Sequence, residues 1–221
     1  MPANVDIAQL VCELCQGFYA LGWASGTGGG IAIRDADQIY VAPSGVQKER
    51  IAREDVFVLD ATRLDRVQVV RRPADASLRI SECQPLFFNA FRERDAGAAM
   101  HSHSLWPVLA ARIAAPGGGP GVLTLRGFEM LKGLRGKGCF DEVRIPIIAN
   151  TAREADLTDA MAAAMRAHLD VDAVIVAGHG MYVWGHNWVA AKTQAECLDW
   201  LCRAVVETHR LGLYDAAGGS A

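Results

Sequence analysis

The chain has 221 residues, 51% of them hydrophobic and 21% charged, with a formal net charge of −3. That composition supports one domain with a substantial core, and the absence of a Lys/Arg block excludes the basic footprint of a nucleic-acid or membrane-surface binder. The opening MPANVDIAQL lacks the basic and long apolar regions of a secretion signal, and no run is long enough to cross a bilayer, so a cytoplasmic location is expected.

A first helix, capped by Asn4, is expected to run to about Leu21, where Gly22 stops it. It contains Cys12 and Cys15 as a C-x-x-C. A zinc ribbon needs a second such pair, and the other cysteines (Cys83, Cys139, Cys197, Cys202) are scattered. These two therefore read as buried helix residues in a reduced compartment. GGGIAIRDADQIYVAPSG gives two apolar runs around the polar segment Arg34 to Gln38, the pattern of a β-hairpin. DVFVLD and RVQVV read as further strands. SECQPLFFNAFRERDAG opens with Ser81 and Gln84 in capping-box spacing and closes on Gly97, which predicts a helix.

A strand at AAMHSH follows, then a helix from about Ser104 to Ala114. APGGGPG, residues 115–121, reads as a surface connection. Next come a strand at GVLTL, a short helix at FEMLKGL and a strand at EVRIPII. A helix from about Arg153 to Leu169, strands at DAVIVAG and MYVW, and a long helix from Asn187 to about Leu213 complete the order. Residues 214–221 are expected to form a frayed tail on a single domain spanning 1–221. The hairpin excludes a purely parallel sheet, so the fold class is α/β, a mixed sheet with helices on both faces.

His101 and His103 stand two apart in the predicted strand, so their side chains share a face. Two neutral imidazoles converging there make half of a zinc site, or a pair of hydrogen-bonded histidines at a strand end. A catalytic zinc site needs a third protein ligand. His168 and His209 fall in last turns of predicted helices, where a cation suits the dipole, and His186 precedes the expected cap Asn187 as an exposed residue. His179 follows a buried strand and lies between Gly178 and Gly180, which give the backbone freedom to turn and leave room for a ligand. It is the best third candidate.

SGTGGG, residues 25–30, fits neither a P-loop nor G-x-G-x-x-G. The two outer ends of a hairpin lie close together, however, so Gly26, Thr27 and Gly28 can share an anion pocket with Ser44 and Gly45. Ser81 at a helix N-terminus is a third contributor. Lys48 reads as an exposed residue that could add charge. Zinc beside a small phosphate pocket suits a sugar-phosphate enzyme, in which the metal polarises a carbonyl and a carboxylate moves a proton.

With H-x-H and a later histidine, the chain resembles the class II aldolase superfamily. GTGGGIAI, IYVAPSGVQKERI, PLFFNAF, HSHS, FEMLKG and GHGMYVWGHNWVAAKTQAECLDWL are similar in particular to its methylthioribulose-1-phosphate dehydratase branch, and span roughly residues 21–201. The resemblance implies a three-layer α/β/α sandwich with a mixed, largely antiparallel central sheet. It implies a homotetramer with sites near subunit boundaries and one Zn2+ per subunit on His101, His103 and His179. It also places Glu129 as the catalytic acid/base; without the resemblance, Glu129 reads as a first-turn helix carboxylate.

The implied reaction is dehydration of 5-methylthioribulose 1-phosphate in methionine salvage. A class II aldolase or epimerase acting on another small phosphorylated ketose is the alternative. The intact histidine set argues against a binding module that has lost its metal. Two departures bear on the choice. Gly30 stands where aldolase members usually have Asn. Glu82 lies nineteen residues before His101, in line with the aldolase glutamate. It reads as a resting-state zinc ligand, a second proton carrier, or a helix N1 acid below Ser81. Cys83 faces the site edge or the core, and Trp106, Phe128 and Met130 form either a wall for a methylthio group or ordinary core.

Overall fold

The computed structural model describes residues 5–213. The expected Asn4 cap and the tail at 214–221 lie outside the described residues. The first helix, α1 (Ile7–Ala20), starts from Asp6, whose carboxylate accepts the amides of Ala8 and Gln9. Its apolar positions recur at helical spacing, so Leu10, Val11, Leu14, Cys15 and Phe18 are buried. Gly22, at φ 75°, turns the chain away. All six cysteines are free, and Cys12 and Cys15 are buried on α1.

The hairpin forms as β1 (Gly30–Asp35) and β2 (Gln38–Val41), from Ala32 opposite Val41 to Asp35 opposite Gln38. Two strands absent from the sequence reading follow it. β3 (Pro43–Ser44) and β6 (Arg79–Ile80) pair with each other and are too short to carry a period. Between them lie β4 (Phe57–Asp60) and β5 (Val69–Arg71), near their expected places.

The helix α2 (Gln84–Arg94) starts later than the capping-box spacing predicts. Pro85 belongs in a first turn, where its missing N–H is not needed. Cys83 is thus the residue before the helix, and Ser81 Oγ accepts the Cys83 amide at 3.2 Å instead of capping. Glu82 accordingly precedes the helix and is not its N1 acid.

β7 (Ala98–Ser102) leads into α3 (Leu105–Ala114), capped by Ser104. After β8 (Gly121–Leu125), the expected short helix is a 3₁₀ turn, Glu129–Gly133. β9 (Val143–Ile148) follows. The helix expected from Arg153 opens as a separate 3₁₀ turn, Glu154–Leu157, before α4 (Thr158–Ala167). β10 (Ala173–Val176), β11 (Gly180–Gly185) and α5 (Trp188–Arg210), capped by Asn187, complete the chain.

Nine strands form one sheet in the order β5-β4-β2-β1-β7-β11-β10-β9-β8, in which β9 and β10 are the parallel pair. Side chains alternate across it. Ile31, Ile33, Met100, Ile175 and Val183 pack beneath α1, α3 and α5, while Ala32, Ala99, Val174, Tyr182 and Trp184 pack against α2 and α4. The result is an α/β sandwich with a mostly antiparallel centre. No helix among the described residues is long and apolar enough to cross a membrane.

Candidate metal centre

β7 lies between β1 and β11, so His101 sits opposite Gly30 on one side and Tyr182 on the other. His101 and Tyr182 belong to the α2/α4 side of the sheet, and their rings stack 3.9 Å apart at 7°. His103, two residues on, reaches the same side from just beyond the strand end. His179 occupies the turn between β10 and β11. That turn needs Gly178 at φ 68°, and a Cβ at Gly180 would collide with the Ser102 carbonyl.

Three strand ends thereby bring three Nε2 atoms together. They are 2.8 Å apart for His101 and His103, 3.2 Å for His101 and His179, and 3.1 Å for His103 and His179. His101 Nδ1 lies 3.1 Å from the Met181 carbonyl, and His179 Nδ1 lies 3.1 Å from Asn150 Oδ1. Both oxygens accept, so each Nδ1 carries the proton and each Nε2 directs a lone pair into the cluster. Lone pairs converging in this way repel unless a cation lies among them. The donor set therefore fits a divalent metal ion. Burial lowers the His101 pKa to about 3, with His103 adding to the effect, and burial followed by His179 lowers that of His103. Both rings are thus held in the neutral form that ligates.

A carboxylate that sequence reasoning missed completes the group. Glu154 Oε1 lies 3.5 Å from His179 Nε2 and 3.9 Å from His101 Nε2. All four donor atoms fall within 4.8 Å of one another. The Tyr182 hydroxyl donates to Glu154 Oε2 at 2.9 Å. Burial pushes the Glu154 carboxyl up, but His179, His101, Cys83 and Tyr182 together outweigh it and hold it below the usual carboxylate range. An acid at a helix start is favourable in any helix, so nothing in the sequence singles Glu154 out.

Two members of the cluster, His103 and Glu154, line a cavity of about 310 Å³. Thr27, Gly28, Ser44, Gly45 and Ser81 line it, and so do Glu82 and Cys83. Gly26 is outside this lining and turns the chain at φ 67°. Gly28 has a steric reason to lack a side chain, because a Cβ there would run into His103 Nδ1. Cys83 proves to be both core and site edge: it is 4% exposed and still lines the cavity.

Lys48 is a correction. It is 2% exposed, and its ammonium donates to the carbonyls of Thr27 and Val46 at 3.1 and 3.4 Å. The 3₁₀ turn Lys48–Arg50 packs against α1, so the side chain crosses beneath the glycine loop instead of entering solvent. Arg79, opposite Ser44 in the β3/β6 pair, is a second cationic group at the cavity that the sequence did not indicate.

Glu129 lies elsewhere. β8 runs antiparallel to β9, with Gly121 opposite Ile147 and Leu125 opposite Val143. The chain thus leaves β8 at the end of the sheet away from Ile148 and His179. The 3₁₀ turn that carries Glu129 packs against α5, on the opposite face from Tyr182. Glu129 is exposed and pairs with Lys132 at 2.6 Å. One copy of the chain does not bring it to the histidines. Trp106, Phe128 and Met130 pack against the core rather than lining the cavity. His168 ends α4, His186 is exposed, and His209 lies in the last turn of α5, all outside the cluster.

The family model for the class II aldolase and adducin N-terminal domain matches residues 9–206. The chain belongs to that family. Two relatives, the methylthioribulose-1-phosphate dehydratases of Coccidioides posadasii and Laccaria bicolor, are each 46% identical to this family member, over 217 and 218 residues. Each match covers 93% of this chain and 90% of the relative. A solved L-fuculose 1-phosphate aldolase shares the family fold with a TM-score of 0.74 at 19% identity, covering 95% of this chain and 89% of its own.

Proposed function

We propose that this class II aldolase family member removes water from 5-methylthioribulose 1-phosphate to give 2,3-diketo-5-methylthiopentyl 1-phosphate, a step of methionine salvage. The observation that carries the reading is the convergence of three imidazole nitrogens beside a cavity lined by hydroxyls and cations, in a chain 46% identical to named dehydratases. The cofactor is one Zn2+ per subunit of a cytoplasmic homotetramer. A tetrahedral zinc with bonds of about 2.0–2.1 Å spaces its nitrogens about 3.3 Å apart, close to the separations in the cluster.

His101, His103 and His179 would hold the ion. When bound, it would supply Lewis acidity toward the C2 carbonyl and C3 hydroxyl oxygens of the substrate. Thr27, Ser44 and Ser81 hydroxyls, with backbone amides of the glycine loop and Gly45, bind the phosphate. Lys48 holds the loop by its carbonyl contact at Thr27. Glu129 takes the C3 proton and returns a proton to the C4 hydroxyl, which leaves as water. The remaining enol tautomerises to the diketone. Because Glu129 and the histidines stand at opposite ends of one sheet, Glu129 is supplied by a neighbouring subunit.

Replacing a phosphate-facing hydroxyl, in Thr27→Val or Ser44→Ala, should weaken substrate binding by about 1–3 kcal/mol, read as a raised KM. Unchanged KM in both would move the phosphate site elsewhere.

A class II aldolase or epimerase on another phosphorylated ketose is the second reading, favoured by Glu82 at the cavity wall. Two variants separate them. Glu129→Gln should keep metal and bind substrate yet lose on the order of 10²-fold or more in kcat, the cost of a missing general base. Glu82→Gln should be far milder. A dead Glu82→Gln beside a normal Glu129→Gln would install the second reading.

A further inference from the structure

Glu154 has no part in the dehydration set out above, yet its carboxylate is the one acidic group in the four-residue cluster. It forms no ion pair with a lysine or arginine among the described residues; its charged-pair contacts are with His101 and His179. Its Oε1 instead faces the point on which the three Nε2 atoms converge, so a largely buried carboxylate has no lysine or arginine to balance it. Burying an unbalanced charge is costly. Two features fix its aim. The Tyr182 hydroxyl binds Oε2, which turns Oε1 toward the histidines. Tyr182 is itself locked by its ladder position opposite His101 and by ring stacking on it.

We infer that Glu154 is the fourth protein ligand of the resting metal site, with Tyr182 as its positioning residue. The inference rests on the metal reading of the three histidines. It gives the site one anionic ligand beside three neutral ones, offsetting half the charge of a divalent ion. The anionic ligand comes from a short 3₁₀ turn at the cavity wall, and the neutral ones come from the ends of packed strands.

The test uses metal-free wild type, Glu154→Gln, Glu154→Asp and Tyr182→Phe. Zinc affinity is read by competition with a chromophoric chelator, and coordination by the visible spectrum of the cobalt(II) form. The expected result is a loss of zinc affinity in both Glu154 variants larger than the ~10–100-fold typical of an outer-shell partner, with Tyr182→Phe inside that range. The cobalt spectra of both Glu154 variants should differ from that of wild type. Tyr182→Phe removes only a hydroxyl and keeps the packed ring, so it reports even if a Glu154 variant folds poorly. Wild-type affinity and spectrum in the Glu154 variants overturn the inference. So does a wild-type result confined to Glu154→Asp, which would reduce Glu154 to a nearby charge, and so does an unaltered Tyr182→Phe. Wild type that binds no metal overturns the histidine reading itself.

Discussion

At the scale of single residues, the site depends on side chains that are present and on one that is missing. Gly28 faces the His103 ring so closely that a methyl group would displace it. Gly28→Ala should therefore cost bound metal while leaving the thermal midpoint near that of wild type. Metal per chain, measured by elemental analysis beside a melting curve, checks this; full metal content would refute the steric account. His101→Ala, His103→Ala and His179→Ala should each strip tightly bound zinc, whereas His168→Ala, His186→Ala and His209→Ala should retain it. Normal zinc in His179→Ala would remove that residue from the ligand set. These histidines were legible because strand periodicity and a glycine turn are local signals. Glu154 and Arg79 were not, since each reaches the cavity through tertiary contacts with segments distant in sequence. Lys48 was misread for the same reason: a lysine on a polar turn looks exposed until α1 covers it.

The elements were most readable where a period could repeat. β2 alternates between buried and half-buried residues, β1, β7 and β11 are compact runs buried on both faces, and α1 and α5 carry apolar stripes several turns long. Pieces without room for a period escaped: the two-residue β3 and β6, and 3₁₀ turns whose spacing mimics a helix start. The elements are also joined by polar contacts that no period reveals. Asp172, just before β10, accepts from Arg94 at the end of α2, from Arg135, from Trp184 on β11 and from Gln194 on α5. Burial pushes the Asp172 carboxyl up, but Arg135 and Arg94 outweigh it and hold its pKa below the ordinary value. A carboxyl lowered by folding contributes stability above its unfolded pKa, about 3.9, and loses it as pH falls through the folded value. Wild type should thus lose stability below about pH 4 more steeply than Asp172→Asn. At neutral pH, the variant should be about 3–5 kcal/mol less stable, chiefly because buried Arg94 keeps its backbone carbonyl acceptors but loses its carboxylate counter-charge. Denaturant melts from pH 2 to 7 check both, and parallel pH slopes would rule the mechanism out.

Across the whole molecule, the sheet separates the two halves of the proposed chemistry. The metal cluster stands at the Ile148 and His179 end on the α2/α4 face, and Glu129 stands beyond Leu125 at the other end. The five residues of β8 alone span about 17 Å at about 3.4 Å per residue. No side chain bridges that distance, so an active Glu129 must come from a second copy. Mixing Glu129→Gln with His179→Ala subunits after dissociation and reassembly should then restore activity, in roughly a quarter of the sites by random assortment. No recovery in mixed oligomers would exclude a shared site. The function itself has a more direct test. Metal-loaded protein is incubated with 5-methylthioribulose 1-phosphate, and the products are weighed by mass spectrometry, with His179→Ala as control. The expected result is a single phosphorylated product lighter than the substrate by one water, formed only by the intact protein. An unchanged mass, or two shorter fragments from a cleaved carbon chain, would contradict it.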